Sequence, residues 1–94
     1  MTSKRALYRQ MEVWKKIGTD QMAIYRCLEN LSDSKFMVDR VEFFQLPIDK
    51  NELSNIVADQ MEMFIEEFPE DRLSKHDTLE AAIEAHDIEF ENTF

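Results

Sequence analysis

The 94-residue sequence has one glycine, one cysteine, one tryptophan and two prolines. Each scarcity excludes something. With Gly18 alone, no glycine-rich loop can cradle a phosphate or form a dinucleotide fingerprint. With Cys27 alone, no intramolecular disulfide framework forms and no CxxC knuckle exists, a pattern that fits a reducing compartment. No apolar run approaches the ~20 residues that cross a bilayer. The opening MTSKRALYRQ lacks the apolar stretch of a secretory signal. An intracellular, cytoplasmic protein is expected.

Chemical motifs are equally sparse. No HExxH run, ExxH pair or GxSxG element occurs. His76 lies four residues before Glu80, and His86 adjoins Asp87; both histidines read as exposed polar residues rather than metal ligands. Cys27 sits beside an apolar stripe and reads as a buried, inert thiol. No catalytic residue, metal or cofactor is expected, and the chain reads as a protein that is not an enzyme.

What the sequence has in quantity is acid. It holds 20 Asp/Glu against 11 Lys/Arg, a net charge of −9. The distribution is uneven: residues 1–31 carry six cations and three acids, residues 32–94 five cations and seventeen acids. Such a chain is repelled by nucleic-acid phosphates and anionic lipid, and attracted to basic surfaces on other proteins. The cations Lys4, Arg5, Arg9, Lys15 and Lys16 are spread around their segment rather than along one stripe, so direct nucleic-acid binding is not expected.

Periodicity places the elements. From Asp49 to Phe68, apolar residues recur at Leu53, Ile56, Val57, Met61, Phe64, Ile65 and Phe68, the spacing of one helix face. Asp49 is positioned to cap this helix, and Pro69 to end it. Residues 3–31 also read as helix, in one piece or two, a helical hairpin or a long helix kinked at Gly18. Leu7, Met11 and Trp14 mark the first stripe, and Ile17, Ile24, Leu28 and Leu31 the second. SDSK at 32–35 reads as a turn. Residues 36–46, rich in Phe and Val, lean to strand. PEDRLSKHD at 69–77 reads as a polar linker, and Asp77 or Thr78 caps a last short helix over TLEAAIEA. In DIEFENTF at 87–94, Ile88, Phe90 and Phe94 alternate with polar residues as in a half-buried strand.

The fold class expected is mainly α: a small bundle of three to four helices in a single domain spanning 1–94. The variant is an α+β form with a minor two-stranded sheet pairing 36–46 with 88–94. The function expected is a non-catalytic regulator or inhibitor that lays an acidic helical face on a basic partner protein. Small size, acidity and absent catalytic motifs are the profile of immunity proteins, antitoxins, anti-restriction factors and nucleic-acid mimics of bacteria or phage, an analogy of composition that no motif carries. The candidate binding residues are Asp59, Glu62, Glu66, Glu67, Glu70 and Asp71 as an acidic edge, with Phe90 and Phe94 as aromatic anchors. The partner expected is a nucleic-acid-handling enzyme or another protein with a basic surface, and no membrane. A homodimer formed through the N-terminal helices is the alternative.

Overall fold

The computed structural model describes residues 7–90. Three strands come first: β1 (Tyr8–Lys16), β2 (Gln21–Asn30) and β3 (Lys35–Gln45). They form one antiparallel sheet in the order β1-β2-β3. Two helices follow, α1 (Lys50–Glu66) and α2 (Leu79–Glu89), joined through a short 3-10 turn at Pro69–Asp71. Strand and helix content are about equal, so the fold is α+β and the mainly α bundle is overturned.

The correction falls on residues 8–30, which form a β-hairpin and not helix. β2 is the central strand and is buried continuously from Ala23 to Leu28. A strand covered on both faces need not alternate apolar and polar residues, and its continuous apolar run imitates the stripe of a buried helix. Gly18 marks the hairpin turn, where Ile17 N–H and Gly18 N–H both donate to the Gln21 carbonyl at 3.2 and 3.3 Å. Among the described residues, therefore, no N-terminal helix exists for the alternative reading, self-association through N-terminal helices, to use.

Of residues 36–46, expected as a strand, 36–45 lie in β3, but β3 pairs with β2 rather than with 88–94. Ile88 and Glu89 belong to α2, and Phe94 lies outside the described residues. The register of β2 with β3 shifts between Arg26 and Cys27, whose partners are Arg40 and Val38. Asp39 is thus the extra residue of a β-bulge.

The sheet has a helix on each face. On one, Tyr25, Cys27 and Val38 pack with Ala82 of α2, and Met11, Val13, Val41, Leu79 and Ile83 close around them. Tyr25 Oη donates to Asp87 Oδ1 at 3.0 Å, tying the far end of α2 to the central strand. On the other face runs α1. Phe64 meets Tyr8 edge-on at 5.4 Å between ring centres, and Gln60 accepts from Gln10 Nε2 at 3.2 Å. Two steps up β1 therefore match one turn down α1, so the helix lies along the strands and runs opposite to β1.

Both helix starts follow the sequence. Asp49 Oδ1 accepts from the amides of Asn51 and Glu52 at 2.9 and 3.2 Å, and Thr78 Oγ1 accepts from Ala81 N–H at 3.0 Å. α1 ends at Glu66, with Phe68 already extended ahead of Pro69.

The two turns of the sheet make opposite demands. Gly18 does not have a positive φ, and a Cβ there meets nothing within 4 Å. Ser34, between β2 and β3, has φ 58°, the left-handed region that costs a residue with a Cβ about 1–2 kcal/mol. Gly18→Ala is expected to leave thermal stability unchanged or raise it by about 0.4–1 kcal/mol through the unfolded chain. Ser34→Gly is expected to stabilise, and Ser34→Val to destabilise by ~1 kcal/mol or more. Chemical denaturation of the three variants checks both expectations.

Candidate functional site

α1 determines what the molecule presents on that face. It runs over β2, because Gln60 reaches Gln10 on β1 and also donates to Asp39 Oδ2 on β3 at 3.1 Å. With Gln60 facing the sheet, the helical period sends Met63 toward β3, where Arg40 Nη2 lies 3.5 Å from its sulfur. The same period sends Met61 and Ile65 toward the β1 side, where both are exposed, Ile65 by 81%. A cavity of about 380 Å³ opens there between helix and sheet, walled by Tyr8, Gln10, Val57, Met61, Phe64 and Ile65.

Asp59, Glu62 and Glu66 occupy the remaining outward side of α1, all exposed. Their spacings of three and four make them neighbours on one helix stripe. Among the described residues none of the three forms an ion pair, and no basic residue stands in the last turn of α1.

The other predicted residues are not part of this stripe. Glu67 caps the end of α1 and lies 3.7 Å from Arg72 Nε. Asp71 is exposed in the 3-10 turn. Glu70 turns inward, accepting hydrogen bonds from Tyr8 Oη and from Asn30 Nδ2. Phe90 ends α2, on the opposite face of the sheet from α1, with its ring 4.4 Å from that of His86. The structure thus brings together Asp59, Glu62 and Glu66, and separates Phe90 from them by the thickness of the sheet.

A charge cluster that sequence reasoning passed over lies beneath α1. Arg26 is 3% exposed at the centre of the sheet. Its Nη1 lies 2.9 Å from Glu12 Oε2 on β1 and its Nε 2.7 Å from Glu42 Oε1 on β3. The signal was a lone arginine inside an apolar run, which only a strand register could match to carboxylates on both sides. At the bulge, Asp39 Oδ1 lies 2.9 Å from Arg72 Nη1 but off the hydrogen-bond direction, so this pair is an ionic contact rather than a directed bond.

The titratable side chains explain themselves as structure. Cys27 is fully buried, and burial, with the Asp39 charge, pushes its thiol up to about 11. That thiol is a protonated core group at neutral pH. Burial and the hydrogen bond to Asp87 push Tyr25 up to about 12. His76 pairs with Phe36 through its backbone, N–H to carbonyl in both directions at 2.8 and 2.9 Å. Among the described residues no group of three or more His, Cys, Asp or Glu side chains could hold a metal ion, and no helix is long and apolar enough to cross a membrane.

In comparison with known proteins, no family model, no curated protein and no solved structure matches the chain. The functional reading therefore rests on geometry.

Glu70 makes a pH prediction. Burial pushes its carboxyl up, but donation from Tyr8, a backbone amide and Asn30 outweighs that and holds it below the ordinary carboxylate range. A carboxyl lowered in the folded state contributes stability that is present above its unfolded value and lost as pH falls through the folded one. Wild-type protein is therefore expected to lose more stability than Glu70→Gln between neutral pH and about pH 3. Urea midpoints across that range measure the difference, and parallel curves for the two proteins would refute it.

Proposed function

We propose that the protein is a non-catalytic binding regulator or inhibitor that lays the acidic stripe of α1 on a basic surface of a partner protein in the cytoplasm. The observation that carries this reading is the stripe itself: Asp59, Glu62 and Glu66 stand together, exposed, without an ion pair among the described residues. Like charges at these spacings weaken a helix by a few tenths of a kcal/mol per pair. Nearby cations do not relieve them, since Arg26, Arg40 and Arg72 engage Glu12, Glu42, Asp39 and Glu67 instead. A basic partner surface would relieve that repulsion.

The contribution of such a stripe is chiefly kinetic and geometric. An anionic edge speeds encounter with a cationic face and fixes the register of docking more than it adds affinity. Surfaces that proteins use to hold nucleic acid have this cationic character, so a nucleic-acid-handling enzyme is the partner class that fits. Glu67 and Asp71, beyond the end of α1, extend the negative field, whereas Glu70 serves the fold.

The test is capture of partners from lysate by the tagged protein, washed at low and at high salt, followed by affinity measurement on the partner recovered. Asp59→Asn/Glu62→Gln/Glu66→Gln is expected to weaken binding by roughly tenfold or more at low salt. Near 1 M salt, where the screening length is about 3 Å, the variant and wild type should converge. Unchanged affinity of the triple variant at low salt would remove the stripe from the reading.

A further inference from the structure

The two edges of the sheet are not alike. The β3 edge carries the Asp39 bulge, and its Phe36 exchanges two backbone hydrogen bonds with His76. β1 pairs with β2 in unbroken register from Tyr8 to Lys16 and, among the described residues, has no strand on its other side. Leu31 N–H donates to the Leu7 carbonyl, and Ile17 N–H to the Gln21 carbonyl. Odd-numbered residues of β1 therefore bond inward to β2. In an antiparallel ladder the alternate residues direct their amides and carbonyls the other way. Gln10, Glu12 and Trp14 thus present a strand edge with no proline and no bulge, two of the features that blunt edges; the charges that β1 does carry, Arg9, Glu12, Lys15 and Lys16, restrict which register can pair.

We propose that the protein is a two-fold symmetric dimer in which β1 pairs antiparallel with β1 of a second copy, giving a six-stranded sheet. The same surface then meets itself, as in the commonest closed oligomers. The side chains select the register. Centring the pair on Glu12 sets Glu12 against Glu12 and Arg9 against Lys15, like charges directly opposed. Centring it on Val13 sets Trp14 against Glu12 and leaves Tyr8 facing the Gly18 turn. Centring it on Met11 opposes no like charges: Arg9 faces Val13, Gln10 faces Glu12, Leu7 faces Lys15 and Trp14 faces Tyr8.

That last register also completes the cavity beside α1. Trp14 is 67% exposed and lies on the α1 side of the sheet, because it shares the parity of Tyr8 and Gln10. Set against the other copy's Tyr8, its indole enters the apolar space walled by Met61, Phe64 and Ile65. The spacing of the layers agrees. Each α1 runs over its own β2, so the two helices stand three strand spacings apart, about 14 Å. Packed helices sit 8–10 Å apart. The remaining gap is one that large side chains, Trp14 and Ile65 from each copy, can fill. The dimer carries its two acidic stripes outward and does not depend on them.

Sedimentation or light scattering over a dilution series tests the pairing, with twice the 11.2 kDa chain mass expected at the concentrated end. Trp14→Ala, a change at an exposed position, is expected to raise the dimer dissociation constant about tenfold or more. Asp59→Asn/Glu62→Gln/Glu66→Gln should leave it unchanged. Amide hydrogen exchange on the wild-type protein gives a reading that needs no variant. Gln10, Glu12 and Trp14 amides should be protected in the dimer and exchange freely on dilution, while Met11 and Val13 stay protected throughout. A monomer at every concentration, or a dimer whose Gln10, Glu12 and Trp14 amides exchange freely, overturns the proposal. A dimer unaffected by Trp14→Ala overturns the filling of the cavity.

Discussion

Burial of β2 on both faces is the constraint on which the rest of this structure depends. Six consecutive residues, Ala23 to Leu28, are withdrawn from water, and each face of that run needs its own cover. α2 covers Tyr25 and Cys27, while α1 covers the side that holds Leu28 and Arg26. Arg26 is the demanding member, since a guanidinium taken out of water needs charged partners. Antiparallel neighbours supply them, Glu12 from one strand and Glu42 from the other. The order of the sheet and the identity of its central charge are thus one requirement.

This constraint also explains what could be read in advance. α1 and its Asp49 cap, the Thr78 cap of α2, the turn after residue 31 and a strand over 36–45 were legible. Each rests on local rules: helical period, a capping oxygen, or a cluster of β-formers. β1 and β2 were not legible, because Ile17, Ile24, Leu28 and Leu31 fall near helical spacing while Met11 and Val13 offer only a short alternation. A strand buried on both faces loses the period-two signal by which strands are recognised. The pattern at 88–90 misled in the opposite way: Ile88 and Phe90 are both exposed at the end of a helix, so their even spacing records no sheet.

The candidate site was partly legible for the same reason. Asp59, Glu62 and Glu66 belong to one helix, and a helical period places them together without knowledge of the fold. Glu70 could not be placed that way. Its partners Tyr8 and Asn30 lie sixty-two and forty residues away, in strands not foreseen, and they turn an apparent surface acid into a tie between the sheet and the segment after α1. Composition counts Glu70 with the other acids, but its hydrogen bonds set it apart from them.

The meander has a further consequence, for the order in which the molecule is made. Each strand pairs only with its neighbour in sequence, so the sheet closes through short loops at small entropic cost, the kind of topology that folds early. By residue 45 all three strands have been synthesised, while both of the segments that cover them are still to come. During that interval the apolar groups of β2 have solvent on two sides, and a nascent sheet of this kind is open to wrong association. Tyr8 and Tyr25 then fasten the later segments to the earlier strands through Glu70 and Asp87.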